Sequence, residues 1–325
     1  MSGIPTKYKK YSSKFSFCYI PGHSQFQVGY LGITESSVSG ILDLHFPSDD
    51  PVYAKQIFVT LIGEEYAERE SVDSTYRARS NLISQGICVW RSPDDTYQQI
   101  NELQLPFQFE LPNYLPSSVK FAEENSKISY NLEAIIKQKS GIFRSSSKSI
   151  KIRCPITRYS LPPTILTPIQ FSTYDDPSAV SRGIGFSVSI EHNVFSQLIP
   201  ISIDFGLLFH KPDLKIKKVI LGVKQYIKFI TSENREKFSK DYVLKYDIKY
   251  DKIKNRLDHN NEYKSNVKFE IPPRNDTELN SVRHSIDQRL IKVFHRIKFK
   301  VKFGIFGGYN INWEKDIKIE NMIAM

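Results

Sequence analysis

The chain has 325 residues, a length typical of about two domains. It is 40% hydrophobic and 25% charged, which is ordinary for a globular protein, and its 18 Tyr and 21 Phe favour β-structure. No apolar run reaches the roughly 18 residues of a membrane span, and the amino terminus lacks the apolar segment of a secretory signal. We therefore expect neither a transmembrane segment nor secretion.

The net charge of +10 is unevenly distributed. Residues 1–164 hold 18 Lys and Arg against 16 Asp and Glu, whereas residues 165–325 hold 27 against 19. A basic second half predicts an acidic partner, which could be an anionic lipid, a phosphorylated segment or a nucleic acid.

The first half predicts short strands separated by turns. The charged run from Glu64 to Gln85 has no clear period, and we expect a strand end followed by a mobile loop there. Strands are predicted over residues 15–20, 38–46, 57–63, 87–90 and 148–154.

Residues 101–136 contain the clearest strand pattern. Apolar side chains alternate from Leu105 to Leu111 and again from Ile128 to Ile136, with polar residues between them. Pro112 and Pro116 end the first run, because proline cannot donate to a sheet. One apolar and one polar face are typical of antiparallel strands with one side in water.

Prolines are frequent between residues 155 and 168, and they predict a domain boundary near Tyr159. The predicted domains are residues 1–158 and 159–325. In the second we expect a long strand from Leu214 to Ile230 with a bulge at Lys217–Lys218, and another over residues 289–303. Residues 231–265 are charged and predict a loop or an irregular hairpin, and Gly304 to Gly308 predict a turn.

Several of these segments resemble the arrestin fold, and within it the α-arrestin (arrestin-domain-containing) branch. The quoted patterns are Pro106-Phe-x-Phe-x-Leu-Pro, Leu115-Pro-Ser-Ser and Ile128-x-Tyr-x-Leu-x-Ala. Segments beginning at Leu214 and Ile291 are similar to the arrestin carboxy-terminal domain. The resemblance implies an all-β fold of two tandem immunoglobulin-like β-sandwich domains.

No catalytic constellation is present in the sequence, so we expect no enzyme, no cofactor and no metal site. The seven histidines lack metal-ligand spacing, and His295 fits a hydrogen-bonded core position. Cys18, Cys88 and Cys154 are too far apart in the sequence for a Cys-x-x-Cys pair, and we expect buried, reduced thiols.

The predicted strand over residues 289–303 separates its side chains by charge. From Ile291 to Phe303 its odd positions are apolar apart from His295, while its even positions carry cations and Phe294. The functional interpretation is a binding stripe for anionic lipid or phosphorylated cargo, and the alternative is an ordinary solvated face. The five predicted residues are Lys292, Arg296, Lys298, Lys300 and Lys302.

The resemblance implies a non-enzymatic adaptor that binds membrane-protein cargo and supports ubiquitin-linked endocytosis and protein trafficking. Its expected location is the cytoplasm, in peripheral contact with anionic plasma membrane or endosomes. α-Arrestins recruit WW-domain ubiquitin ligases through Pro-Pro-x-Tyr, which this sequence lacks; Leu111, Pro112 and Tyr114 form a looser candidate motif. The alternatives are a coat-like subunit of a retromer-type sorting complex, or a basic nucleic-acid-binding β protein. The positive charge is the only feature that suggests a nucleic-acid-binding protein. We therefore expect that no nucleic acid is a partner.

Overall fold

The computed structural model describes residues 14–70, 74–121, 125–139, 147–164, 167–211, 213–231, 236–272, 281–303 and 310–323. Strands account for 63% of the structure and helices for 4%. The predicted all-β fold is therefore confirmed. Contacts between residues divide the chain into a first unit, Met1–Tyr159, and a second unit, Ser160–Met325.

The first unit is built from two antiparallel sheets. Its described strands are β1 (Phe15–Cys18), β2 (Gln27–Val28), β3 (Ser37–His45), β4 (Val52–Glu70), β5 (Thr75–Arg91), β6 (Gln98–Ile100), β7 (Glu102–Glu110), β8 (Val119–Lys120), β9 (Lys127–Gln138) and β10 (Ser147–Arg153). In one sheet, β3 pairs with β1, β2 and β7. The other sheet has the order β10-β9-β4-β5, with β6 and β8 added to β4 and β9.

The apolar faces predicted for residues 105–136 are confirmed. Phe107 on β7 and Tyr130 on β9 are only 4% and 1% exposed. The ring of Phe107 meets that of Phe17 edge-on at 5.6 Å, and the Tyr130 hydroxyl donates to the Pro116 carbonyl oxygen at 2.8 Å. Both sheets therefore contribute aromatic side chains to the core of this unit.

The hairpin of β4 and β5 shows that the loop predicted within residues 64–85 was wrong. The two strands stay paired as far as Glu70 and Thr75. Arg77 donates to the Glu68 carboxylate at 2.9 Å, and Arg79 lies 3.5 Å from Glu64. Charged pairs across the hairpin replace the apolar alternation here, which is why the sequence has no clear period.

The second unit also contains two sheets. Its described elements are β11 (Ile169–Ser172), α1 (Pro177–Arg182), β12 (Ile184–Ile190), β13 (Val194–Phe195), β14 (Ile201–Phe209), β15 (Ile216–Ile230), β16 (Glu236–Lys249), α2 (Tyr250–Lys254), β17 (Glu262–Phe269), β18 (Ile286–Asp287), β19 (Ile291–Phe303) and β20 (Ile311–Ile319). One sheet has the order β11-β12-β14-β17, and the other β13-β20-β19-β15-β16, with β18 beside β19. Phe186 and Phe299, one from each sheet, stack at 4.9 Å in the shared core.

Three predictions for this unit have different outcomes. The bulge is confirmed, because the pairing of β15 with β19 shifts register between Ile216 and Lys218. The loop or irregular hairpin expected over residues 231–265 is wrong for the described part, because these residues form all of β16, all of α2 and the start of β17. Pairing with β15 orders β16 through its backbone, so its charged side chains need no apolar period. The turn predicted at residues 304–308 lies outside the described residues.

Candidate anion-binding face

Strand β19 places all five predicted cations on one side of its sheet. Its buried and partly exposed residues alternate without a break from Ile291 to Lys302. Ile297, Phe299 and Val301 lie in the core, so the even-numbered residues point outward. The strand lies between β15 and β20, which places this outward stripe inside the sheet rather than at its edge.

The neighbouring strands extend the stripe into a wider basic face. Cross-strand register pairs three cations of β15 with three cations of β19: Lys218 with Lys302, Lys224 with Arg296 and Lys228 with Lys292. The same register continues to β16. We define the basic face as the outward side chains Lys218, Lys224, Lys228, Lys240, Lys245, Lys249, Lys292, Arg296, Lys298, Lys300 and Lys302.

Three of the five predicted residues already have carboxylate partners. Lys292 donates to Asp287 at 2.7 Å, and Arg296 donates to Asp316 at 2.6 Å. Lys298 pairs with Glu314, which lies opposite it on β20. Hydrogen bonding to Asp316 raises the pKa of Arg296, as expected for a cation held by an acid. This half of the stripe is close to electrically neutral.

The other end of the basic face keeps its charge. Within the described ranges, no carboxylate lies within ion-pair distance of Lys249, Lys300 or Lys302. Burial lowers the pKa of Lys300, and the nearby charges of Lys302 and Lys298 lower it further. An anion bound here would relieve that repulsion, so this end has the electrostatics of an anion site.

A row of three lysines crosses the sheet at this end. Lys249, Lys218 and Lys302 occupy paired positions on β16, β15 and β19. Adjacent strands are about 4.8 Å apart, so the row spans about 10 Å at the backbone. Asp247 contacts Lys218 at 2.5 Å and Lys245 at 3.4 Å, and it is the acid on β16 nearest to this row.

Besides Phe294, the rings of Tyr226 and Tyr242 lie on this face, and strand alternation in β19 alone does not indicate them. Tyr226 stacks on Phe294 at 5.0 Å, and the Arg296 guanidinium lies 5.3 Å from the Tyr226 ring. The Nζ of Lys224 lies 4.7 Å from the Tyr242 ring. Because these rings are engaged by cations or by each other, they add no open stacking surface in support of the nucleic-acid alternative.

The candidate WW-domain motif forms a turn. The Leu111 amide donates to the Ser36 carbonyl oxygen at 2.9 Å, and the Leu115 amide donates to that of Pro112 at 3.1 Å. Leu111 is buried, whereas Tyr114 is 67% exposed. WW domains bind an extended polyproline II segment, a conformation that differs from this turn.

The histidine and cysteine positions complete the predicted sites. His295 is fully buried; its ring nitrogens lie 3.2 Å from the Ser285 hydroxyl and from the Gln225 side-chain oxygen, as expected for a core histidine. Cys88 is exposed, so the expectation that all three thiols are buried is wrong.

Over the described residues, no cluster of three or more His, Cys, Asp or Glu has metal-binding geometry, and no helix could cross a membrane.

Residues 183–323 match the protein-family model described as Arrestin (or S-antigen), C-terminal domain. The match supports an arrestin-like family. It spans most of the second unit and includes all five predicted cations of β19. Proteins of this family are in general non-enzymatic adaptors that bind cargo, which supports an adaptor role in trafficking in general terms. No curated protein matches the chain.

Proposed function

We propose that this protein is an adaptor of the α-arrestin type that binds membrane-protein cargo and supports its ubiquitin-linked endocytosis and sorting. Its proposed location is the cytoplasm, at the surface of the plasma membrane or of endosomes. The family match to the second unit and the sequence patterns of the first unit support this proposal. The basic face is its proposed contact with an anionic membrane or with phosphorylated cargo.

The observation that carries the proposal is the charged end of the basic face at Lys249, Lys300 and Lys302. Each cation near an anionic membrane surface contributes about 1 kcal/mol. Three such cations contribute about 3 kcal/mol, or about a hundredfold in affinity. This is enough for weak, reversible attachment and too little for stable anchoring, which suits an adaptor that also needs its cargo.

Vesicle co-sedimentation tests the membrane contact. We expect the wild type to pellet with phosphatidylcholine vesicles that contain a phosphatidylinositol bisphosphate, and not with phosphatidylcholine alone. The variant Lys300→Glu/Lys302→Glu should bind at least about 30-fold more weakly, because about 2 kcal/mol of attraction is removed. Binding should also fall as salt is added, since the Debye length is only about 8 Å at 0.15 M.

The matched control is Lys252→Glu/Lys254→Glu, which makes the same charge change on exposed residues of α2 in the same unit. This control should bind vesicles like the wild type. Equal losses in both variants would mean that only net charge matters, and the basic face would then not be the contact. If neither the wild type nor the Lys300→Glu/Lys302→Glu variant pellets, these two proteins are titrated with a phosphorylated cargo peptide, and that result decides the part of the proposal that concerns cargo.

The ubiquitin-linked part of the proposal has separate support. It comes from the α-arrestin resemblance, and the looser Leu-Pro-x-Tyr match around the exposed Tyr114 does not add to it. Because that match forms a turn, an indirect link to a ligase, through cargo or a second adaptor, fits better than direct WW-domain binding.

A further inference from the structure

Strand β5 forms one edge of the second sheet of the first unit. In the order β10-β9-β4-β5, its only hydrogen-bonded neighbour among the described strands is β4. From Ser80 to Trp90 it contains no charged residue and no proline. Natural edge strands are usually protected by such residues, since a bare edge can pair with another chain.

The other long edge strands of both units carry this protection. β7 contains Pro106 at its centre and a glutamate at each end. β10 and β17 each carry at least three charged residues, and β16 carries charges throughout its length. Among the long edge strands that the structure describes, the uncharged stretch of β5 is therefore an exception.

Two bulges define the usable part of this edge. The pairing of β4 with β5 shifts register between Ile57 and Phe58 and again between Gly63 and Glu64. These shifts leave Val89 and Leu82 as the extra residues of β5. Between them, Ile83 to Cys88 pair in unbroken register over about 20 Å. We call these residues the β5 edge.

We propose that the β5 edge binds an extended segment of a partner protein as an added strand. This inference goes beyond the adaptor proposal, which concerns the second unit. On one side of the edge, Ile83 is buried and Ile87 is half-buried, while Ser84, Gly86 and Cys88 on the other side are exposed. The segment that fits is about six residues long and uncharged, with β-branched or apolar side chains at alternate positions beside the two isoleucines.

Charge defines the flank of the segment. Arg91, three residues beyond the edge, is exposed, and no carboxylate partner is found for it in the described part of the chain. Arg79 at the other end is already 3.5 Å from Glu64. An acidic residue just outside the paired segment, on the Arg91 side, would complete this arrangement.

The same charges disfavour a second copy of the chain as the occupant. A two-fold pairing that aligns Ile83 with Cys88 of another copy sets Arg91 opposite Ser80, next to Arg79, at both ends of the contact. Six paired residues also bury far less than the roughly 1,000 Å² that a stable protein interface needs. A short linear segment avoids the charge repulsion, and a contact of this size suits weak, transient binding.

The first test uses a fluorescein-labelled peptide, Glu-Glu-Thr-Val-Thr-Val-Thr-Val, with acidic residues at the end that antiparallel pairing brings to Arg91. Fluorescence anisotropy should show saturable binding, and a version with proline at the central valine should bind at least tenfold more weakly. The variant Gln85→Lys, which adds a charge in the middle of the edge, should cause a similar loss. Tyr246→Lys on the edge strand β16 is the matched control and should have no effect.

The second test uses Cys88, because Cys18 and Cys154 are buried. Peptides carrying a thiopyridyl-activated cysteine at successive positions exchange with the Cys88 thiol, forming a disulfide and releasing thiopyridone. Trapping should alternate with a period of two residues along the peptide, because only every second side chain lies on the Cys88 face. Arg91→Glu should weaken binding about fivefold for the acidic peptide and strengthen it for one with lysines in place of the glutamates.

Several outcomes would overturn the proposal. These are equal binding of the proline peptide, no effect of Gln85→Lys in a protein whose circular dichroism is unchanged, or trapping without alternation. A concentration-dependent dimer in sedimentation velocity that Gln85→Lys abolishes would assign the edge to a second copy instead. If Gln85→Lys fails to fold, Arg91→Glu and the trapping pattern still decide. Vesicle binding by the basic face is independent of each result.

Discussion

Replacing Gly63 and Tyr130 by alanine, singly and together, tests the packing of β4 against β9. The two residues pair across these strands, and the Tyr130 ring lies directly over Gly63. A Cβ added at Gly63 would lie 2.5 Å from two ring atoms of Tyr130 and 2.7 Å from a methyl of Ile83. Non-bonded carbon atoms do not approach this closely, so the ring must move in the variant.

The expected free energies follow from this geometry. Gly63→Ala should destabilise the first unit by about 1–3 kcal/mol through overpacking, reduced by up to about 1 kcal/mol because alanine restricts the unfolded chain. Tyr130→Ala should cost about 3–5 kcal/mol, because a buried ring and its hydrogen bond to Pro116 are lost. In the double variant the added methyl occupies vacated space, so its cost should fall below the sum by about 1–2 kcal/mol.

Urea unfolding measures the cycle, and the chain offers a probe for each unit. Its two tryptophans are Trp90 in the first unit and Trp313 in the second. A Trp313→Phe background therefore restricts the fluorescence signal to the first unit. Gly86→Ala is the control, because its Cβ would come no closer than 3.3 Å to a neighbour, a Thr60 methyl. Additivity of the two substitutions within about 0.5 kcal/mol would refute the packing argument.

Two further predictions use the same probes. Phe107→Ala should lower the free energy of unfolding, measured in urea, by about 3–5 kcal/mol. Tyr114→Ala, at an exposed position, should change it by less than about 0.5 kcal/mol. Equal effects of the two substitutions would mean that the wrong face of the strand was assigned to the core. For His295, burial lowers the pKa to about 3, below its unfolded value of about 6.5, so only the unfolded state binds a proton between these values. The contribution of this group to the free energy of unfolding of the second unit should be fully present well above pH 6.5. At pH 5 the free energy of unfolding should be lower by about 2 kcal/mol, as followed by Trp313 fluorescence in a Trp90→Phe background. His295→Gln should remove this slope, and parallel pH profiles of the two proteins would contradict the assignment.

Period-two alternation accounts for what could be predicted locally. The buried faces around Phe107 and Tyr130, the bulge near Lys218 and the outward position of the cations on β19 all depend on which side of one strand a residue occupies. Alternation fixes that side wherever one face is apolar. Where both faces are polar, as in the β4–β5 hairpin and in β16, the same rule predicts nothing, and loops were expected in error.

Alternation within one strand does not show which other strands it pairs with. Alternation does not give the register between two strands, so the ion pairs of Arg296 with Asp316 and of Lys298 with Glu314, which depend on the register of β19 against β20, could not be predicted. The neutral stretch of β5 is visible in the sequence, but its position at a sheet edge is not.

The sequence alone determined the all-β class, the faces of the strongly alternating strands and the excess of positive charge in the second half, because these depend on neighbours in the chain. Only the tertiary structure decided which cations are neutralised, leaving Lys249, Lys300 and Lys302 charged, and which strand edge stays bare. Both properties depend on pairing between residues far apart in the sequence, and the cooperative packing of the whole sheet sets that pairing.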